Sequence, residues 1–432
     1  MTEMVTTDRG EPWQRYRPPA ADTTAADLET GGLTEAEGWA RYNGCIEEVR
    51  QLILTSPLTN HDPRTRAQAL FILPQIQAQA FLLAVASRPD FPRFYTHEFF
   101  QPGVFTYNLP CPDFVYRTTF LDGRRTYRIT GTRQTASWVD FQCFNCFSGV
   151  GAANPKRLGN WDLDDFMIAE DGRFEITVSA APAAGNWIRL DSASRFNWLN
   201  IRQLAYEGEQ PPEMTIETVG DGPPKEMYPD EAELARRLAL GGEIVKYIVT
   251  RMTYARVQET VLKQAGGTNQ FHVVSGKDEK EAKDGGNPMA VYEIAVFEIA
   301  PDEALIFEAD PPKARYWNVH VGDILNQTRD YVHHKSSIND RQAVPDSDGK
   351  IRVVLSFDDP GVPNWLDPVG SGFGRVVWRW YGADRVEVPK ITRIKRSALR
   401  AHLPADAQLI SPAERTEELA RRRRFVSALY GY

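Results

Sequence analysis

EDGRFEITVS (residues 170–179) and SDGKIRVVLS (residues 347–356) stand 177 residues apart and follow one pattern. In each, an Asp-Gly pair (Asp171-Gly172, Asp348-Gly349) introduces a run of alternating polarity. Asp-Gly signals a tight turn, because glycine enters the left-handed region at no steric cost. Alternation with period two is the pattern of a half-buried strand. The match extends outward in order. WVDFQC (138–143) lies against YWNVHV (316–321), and Asn186-Trp187 against Asn364-Trp365, both at an offset of 178. WLNIRQLAYEGEQPPEMTI (198–216) matches GRVVWRWYGADRVEVPKI (374–391) more loosely. Four matches in one order near one offset are hard to produce by chance, so the chain reads as two copies of one module. Short strands in this rhythm favour sandwiches or jelly rolls over a parallel sheet. The expected fold class is mainly β with added α-helices. It comprises two tandem antiparallel β-sandwich or jelly-roll-like modules plus N-terminal, central and C-terminal helices.

Outward from the repeat, residues 1–33 are rich in Thr, Ala, Pro and Gly and read as a flexible arm. Residues 34–99 read as a helical segment. Thr34 and Glu37 form a capping-box signature, and Trp39, Tyr42, Ile46, Val49 and Ile53 fall on one helical stripe. A second helix starts at Asp62-Pro63; its body (67–87) is apolar on nearly all sides, which predicts burial and a kink at Pro74. The first β module is placed at 100–218. A linker, a helix opened by Asp230 and Glu233, and a charged loop fill 219–289, with Gly241-Gly242 as a weak point in the helix. The second module takes 290–398, and 399–432 forms a C-terminal helix capped at Ser411, with Arg421–Arg424 suited to its C-terminal end.

A chain of 432 residues with a net charge of −8 lacks the cationic excess of a general phosphate-binding surface, so nucleic acid is not an expected partner. No stretch approaches 18 consecutive apolar residues, and the N-terminus lacks the apolar region of a signal peptide. A cytoplasmic protein without a membrane span is the expectation. Cys45, Cys111, Cys143 and Cys146 are too few for a disulfide scaffold of this length. Cys143 and Cys146 form a C-x-x-C without a second ligand pair, which predicts packed thiols and neither zinc nor a disulfide. Neither a G-x-S-x-G elbow, a P-loop, H-E-x-x-H nor G-x-G-x-x-G occurs, so the common hydrolase, nucleotide and zincin readings lose their usual support.

The strand faces carry the functional signal. Asp140 and Gln142 share one face of their strand, and Asn318 and His320 take the same places in the second copy. By alternation Trp138 shares that polar face, whereas Trp317 does not. Aromatic walls with a few convergent polar groups are how small-molecule sites are usually built. Trp317, Asn318, Asn339, Trp365, Asp140, Gln142 and Trp187 are the candidate ligand contacts. Three of the seven histidines (His320, His333 and His334) fall between residues 320 and 334. Histidine is the natural acid–base at neutral pH, and Asp330 could orient His333. His333, His320, Asp330 and Tyr331 are the candidate catalytic residues. His333 and His320 are expected to meet across a pocket walled by Trp365 or Trp317, the first module being structural or supplying binding contacts.

PDFVYRTTFLDGRRTYRITG (112–131), GNW (185–187), DYVHHKSSIN (330–339) and DPGVPNWLD (359–367) resemble the bacterial domain-of-unknown-function family numbered 1214. The resemblance covers residues 100–217 and 290–395. In that family's pattern a basic residue stands near Val332 and His334, and this chain departs there. The resemblance implies a jelly-roll-like fold and leaves the chemistry open. The residues themselves suggest an acid–base enzyme of lyase, hydratase or isomerase type. Its substrate would be a small apolar or aromatic molecule, such as a terpenoid or steroid, and it would need no cofactor or metal. The alternative is a non-catalytic carbohydrate-binding or assembly protein, with tryptophans on an open face. A small molecule is the expected partner, and a homo-oligomer stays open.

Overall fold

The computed structural model describes residues 32–60, 62–96, 109–148, 150–151, 155–220, 226–262, 266–277 and 286–430. Nearly all of the expected arm and part of the charged loop lie outside the described residues. The chain divides into two compact units: Met1–Phe99, Phe114–Ala255 and Ala282–Gly285 in the first, and Phe100–Asp113, Arg256–Glu281 and Gly286–Tyr432 in the second. The segment ending at Asp113 therefore belongs with the second unit, not with the first module to which the sequence reading assigned it.

In the first unit, α1 (Glu35–Thr55) begins at the expected capping box: Thr34 Oγ1 accepts from the Glu37 amide, and Glu37 accepts from the Thr34 amide at 2.8 Å. Its buried stripe is Gly38, Cys45, Val49 and Ile53, while Trp39 faces solvent. After α2 (Pro57–Asn60) comes α3 (Pro63–Ala80), which continues in wider turns to Val85. By length and composition this stretch could cross a membrane, a test that core helices also pass. The all-round burial expected of it is not found. Ile72, Leu73 and Ile76 are buried, but Leu70, Phe71 and Phe81 are exposed, so only one face meets the protein. In α4 (Glu231–Tyr247), Gly242 is a close-approach site rather than a weak point. A Cβ there would stand 2.9 Å from Tyr42 Cα, so glycine lets α1 and α4 touch backbone to backbone.

The first unit's strands are β1 (Tyr95–Thr96), β2 (Phe114–Leu121), β3 (Tyr127–Thr132), β4 (Trp138–Phe144), β5 (Arg157–Asp162), β6 (Arg173–Ser179), β7 (Trp187–Arg189), β8 (Asn197–Leu204) and β9 (Glu213–Thr218). They form two sheets, in the orders β1-β2-β8-β4-β5 and β7-β6-β3-β9. Val139, Phe141, Leu199 and Ile201 from one sheet meet Ile129, Phe174, Ile176 and Ile216 from the other, which makes this a sandwich with an apolar filling. Cys143 points into that core, and Cys146 is buried as well.

The second unit contains β10 (His272–Ser275), β11 (Ala290–Glu298), β12 (Glu303–Ala309), β13 (Tyr316–Gly322), β14 (Ser337–Asn339), β15 (Ile351–Ser356), β16 (Trp365–Leu366), β17 (Phe373–Tyr381) and β18 (Lys390–Lys395). Its sheets run β10-β11-β17-β13-β14 and β16-β15-β12-β18, the same orders with each index raised by nine. The helix α5 (Pro412–Tyr430) follows, capped by Ser411 as expected. Arg422 of this helix donates to Ser337 Oγ at 2.6 Å, so it ties the helix to β14 and does more than complement a helix end. The protein is mainly β, with helices at its N-terminus, centre and C-terminus.

The motifs that revealed the pattern are structural latches. Gly172 and Gly349 have φ of +83° and +81°, as the Asp-Gly turns require. Asn364 grips the backbone of Val344, donating to its carbonyl at 2.7 Å and accepting from its amide at 2.9 Å. Asn186 grips Met167 in the same way at 2.8 and 2.7 Å. The indole N–H of Trp365 donates to Ser356 O, and that of Trp187 to Ser179 O. Both tryptophans sit on short strands that pair in parallel with β15 and β6, the two departures from antiparallel order among the described residues. Asn364 is buried and Asn186 is part-exposed, so water can replace the lost bonds only at the latter. Asn364→Ala is accordingly expected to cost about 2 kcal/mol, and Asn186→Ala less than half of that. Urea denaturation of both variants checks this; equal losses would show that burial does not govern the latch.

Candidate functional site

Directly opposed residues in an antiparallel pair share a face of the sheet. On β13 and β17, Tyr316 opposes Tyr381, Asn318 opposes Arg379, His320 opposes Val377 and Gly322 opposes Arg375. On β14, Asn339 opposes Asn318, and Ser337 opposes His320. One face therefore collects Tyr316, Asn318, His320, Asn339, Arg375 and Arg379, all buried. The other face of the same strands is the sandwich core, with Trp317, Val319, Val376, Trp378 and Trp380. A strap, Leu109–Asp113, lies across the polar face. Its Leu109 carbonyl accepts from Arg379, its Pro110 carbonyl accepts from Thr328 at 2.7 Å, and its Cys111 thiol lies 3.0 Å from Tyr316 Oη.

Asp113 organises the cluster. Its carboxylate accepts from the Tyr316 hydroxyl at 2.6 Å, from Asn318 Nδ2 at 3.1 Å and from Asn339 Nδ2 at 3.0 Å. With its amide nitrogen committed to Asp113, Asn318 turns its Oδ1 to His320 Nδ1, 2.8 Å away. An amide oxygen only accepts, so Nδ1 carries the proton and Nε2 holds a lone pair. Nε2 is buried and has no hydrogen-bond partner among the described residues. Burial first, then the charges of Arg379 and Arg375, hold the imidazole pKa well below its usual value. The ring is neutral at physiological pH, and its free nitrogen lies in a cationic field. A chain of carboxylate, amide and imidazole that fixes one tautomer is how a general base is oriented.

The remaining candidates are dispersed. His333 is at the surface with Nδ1 2.9 Å from Asp330 Oδ2, and the other Asp330 oxygen accepts from the Val332 and His333 amides, closing a turn. His334 instead reaches Asp367, 2.7 Å away. Tyr331 is buried with Val332 and Val426 of α5. His320 is interior and His333 exposed, so the expected shared pocket is not formed between them. Trp317 packs on Trp378 and Trp380 at ring separations of 5.6 and 5.4 Å, inside the core. Trp365 and Trp187 are the latches described above, and Arg415 of α5 lies 5.3 Å over the Trp365 ring. In the first unit Arg202 Nη1 donates to Asp140 at 3.1 Å and to Gln142 at 2.7 Å, which satisfies the polar pair internally.

Asp113, Tyr316, Arg375 and Arg379 were missed in the sequence. The arginines had left a signal, because Arg375, Val377 and Arg379 alternate with Val376, Trp378 and Trp380. Cations on one side of an otherwise apolar strand need a reason. Asp113 left none, since it acts on residues more than 200 positions away.

Residues 300–385 match the model of DUF1214, a protein family of unknown function. The resemblance read from the sequence holds there. The DUF1214 segment includes Asn318, His320, Asn339, Arg375 and Arg379, whereas the orienting Asp113 comes from outside it. Among solved structures, an uncharacterized protein from Burkholderia cenocepacia is 26% identical and aligns with a TM-score of 0.74 over 87% of this chain and 100% of its own. The VPA0106 protein from Vibrio parahaemolyticus is 15% identical with a TM-score of 0.42, over 86% of this chain and 100% of its own. No curated protein matches the chain.

Proposed function

We propose that the second unit is an acid–base catalyst for a small, largely apolar molecule, with His320 as the base. The observation that carries this reading is the Asp113–Asn318–His320 chain, which leaves Nε2 unprotonated and unpartnered between two arginines. The base would take a proton from carbon, and Arg375 and Arg379 would stabilise the anion left behind. Return of the proton to a neighbouring atom gives isomerisation; its delivery to a departing group gives elimination. Neither needs an organic cofactor. His320 is fully buried, so the substrate enters when the Leu109–Asp113 strap lifts. Carbohydrate stacking has less support, because Trp317, Trp365, Trp378 and Trp380 are all buried. The shared strand order and the paired Asn-Trp latches favour reading the two sheet groups as tandem copies, of which the second gained the chemistry.

The test is deuterium exchange at acidic C–H positions, followed by NMR, across a panel of small ketones, enones and steroids. His320→Gln should lower exchange of the responsive compound at least about 100-fold, with folding unchanged. Exchange that persists at the wild-type rate in His320→Gln would sink the assignment, as would its absence throughout the panel.

A further inference from the structure

Leu109 of the strap stands at φ +51°, in the left-handed region that a bulky side chain avoids. Its amide donates to Asn326 O at 2.9 Å and its carbonyl accepts from Arg379, so both backbone groups hold it in that strained shape. The side chain is buried against Val274, Ile294, Val296 and Val377. These residues share the sheet face of His320: Val377 opposes both His320 and Ile294, Val296 opposes Arg375, and Val274 opposes Tyr292 next in the row of Arg379. On β13 the same face carries Gly322, two residues after His320 and so about 7 Å along the strand. A Cβ on Gly322 would collide with Leu109 Cδ1, so the glycine leaves a notch and Leu109 fills it. In the first unit the places of Gly322 and Arg375 hold Phe144 and Trp198, whose stacked rings, 5.2 Å apart at 25°, fill that part of the face themselves.

We infer that Leu109 occupies the seat of the substrate's alkyl group, and that the substrate is a carbonyl compound bearing a short branched chain of isobutyl or isopentenyl size. This rests on the reading of His320 as the base. The walls of the seat are apolar, and its size is set by the leucine side chain that fills it. Through Val377 it adjoins His320, whose buried Nε2 has no partner among the described residues. An apolar seat beside one polar group that needs a partner is how a small-molecule site is built. The proton passes from the carbon beside the carbonyl to Nε2, and the electron pair of the broken C–H bond passes to the carbonyl oxygen, where Arg375 and Arg379 offset the charge. Displacing Leu109 lets its backbone leave the left-handed region, which offsets part of the cost of opening. Fused-ring molecules such as steroids exceed the seat, so a branched ketone is favoured over them.

Cys111, buried two residues after Leu109, reports displacement of the strap. Excess isobutyl methyl ketone should speed labelling of Cys111 by a thiol reagent at least tenfold in the wild type, read by mass spectrometry of its peptide. Acetone, which has no chain for the seat, should not. Leu109→Gly suits the left-handed backbone and leaves the seat open, so calorimetry should show the ketone bound at least tenfold more tightly. Val296→Phe fills the seat from its wall and should abolish the labelling response, which keeps the test decisive if Leu109→Gly fails to fold. His320→Gln keeps the seat, so it should label as the wild type does while deuterium exchange of the ketone is lost. Exchange that persists there, with the labelling response intact, would sink the base and leave the seat standing. The inference is overturned if the ketone leaves Cys111 protected, if acetone exposes it equally, if Leu109→Gly gains no affinity, or if Val296→Phe responds as wild type does.

Discussion

Glu293→Gln is expected to stabilise the protein by about 3 kcal/mol at pH 7, an unusually large gain for one polar substitution. Glu293 is fully buried in the tryptophan-filled core of the second unit, where one carboxyl oxygen accepts from the Trp380 indole and the other has no partner among the described residues. Burial, aided by the nearby charge of Glu387, pushes its pKa up to about 9. The folded protein therefore holds the acid neutral at pH 7, while the unfolded chain ionises it. The sign follows from that difference. The folded form is not penalised below the ordinary carboxylate pKa, loses stability as pH rises above it, and stops losing once pH passes the raised value. Glutamine has the shape of the protonated acid and does not titrate. Urea denaturation across pH should thus show no gain near pH 4 and a growing gain towards pH 9. A difference that does not vary with pH would show that Glu293 is not held neutral.

Asp113→Ala is expected to cost about 4 kcal/mol, because three buried donors lose their acceptor together. Tyr316, Asn318 and Asn339 would each keep a polar group away from water without its carboxylate partner. The strap would also lose its anchor, so Cys111, now fully buried, should become reactive to a thiol reagent. Burial pushes the Cys111 thiol pKa up to about 11, which makes it slow to react in the wild type. Asp113→Asn keeps the shape and one acceptor oxygen, so its loss of stability and its rise in labelling should fall between wild type and alanine. An alanine variant as stable as wild type, with Cys111 still protected, would mean that Asp113 does not hold the strap.

The contrast between His333 and His320 shows what distance in sequence conceals. An acid three residues before a histidine suggests a catalytic pair, and the Asp330–His333 bond does form. Yet the other oxygen of that acid closes a surface turn, and short polar contacts of this kind are common wherever a chain reverses. His320 was legible as a polar residue on a named strand face. Its importance was not, because the groups that set its tautomer and its charge come from the strap and from β17.

From the sequence alone came the two sheet groups, the strand faces that separate Trp317 from Asn318 and His320, and the Asp-Gly and Asn-Trp sites now seen as turns and latches. These are short-range properties: alternation, turn chemistry and a repeat register can be read within about ten residues. Tertiary structure alone decided that Asp113 reaches three side chains on two strands from another part of the chain, that Arg202 satisfies Asp140 and Gln142 while His320 Nε2 stays unpartnered among the described residues, and that α3 buries one side only. It also decided that the three indoles Trp317, Trp378 and Trp380 pack together inside the second sandwich, where Val139, Ile201 and Gln203 hold the same sheet positions in the first. Which polar group finds a partner, and which side chains fill a core together, are sums over all neighbours in space, and no local pattern carries that sum.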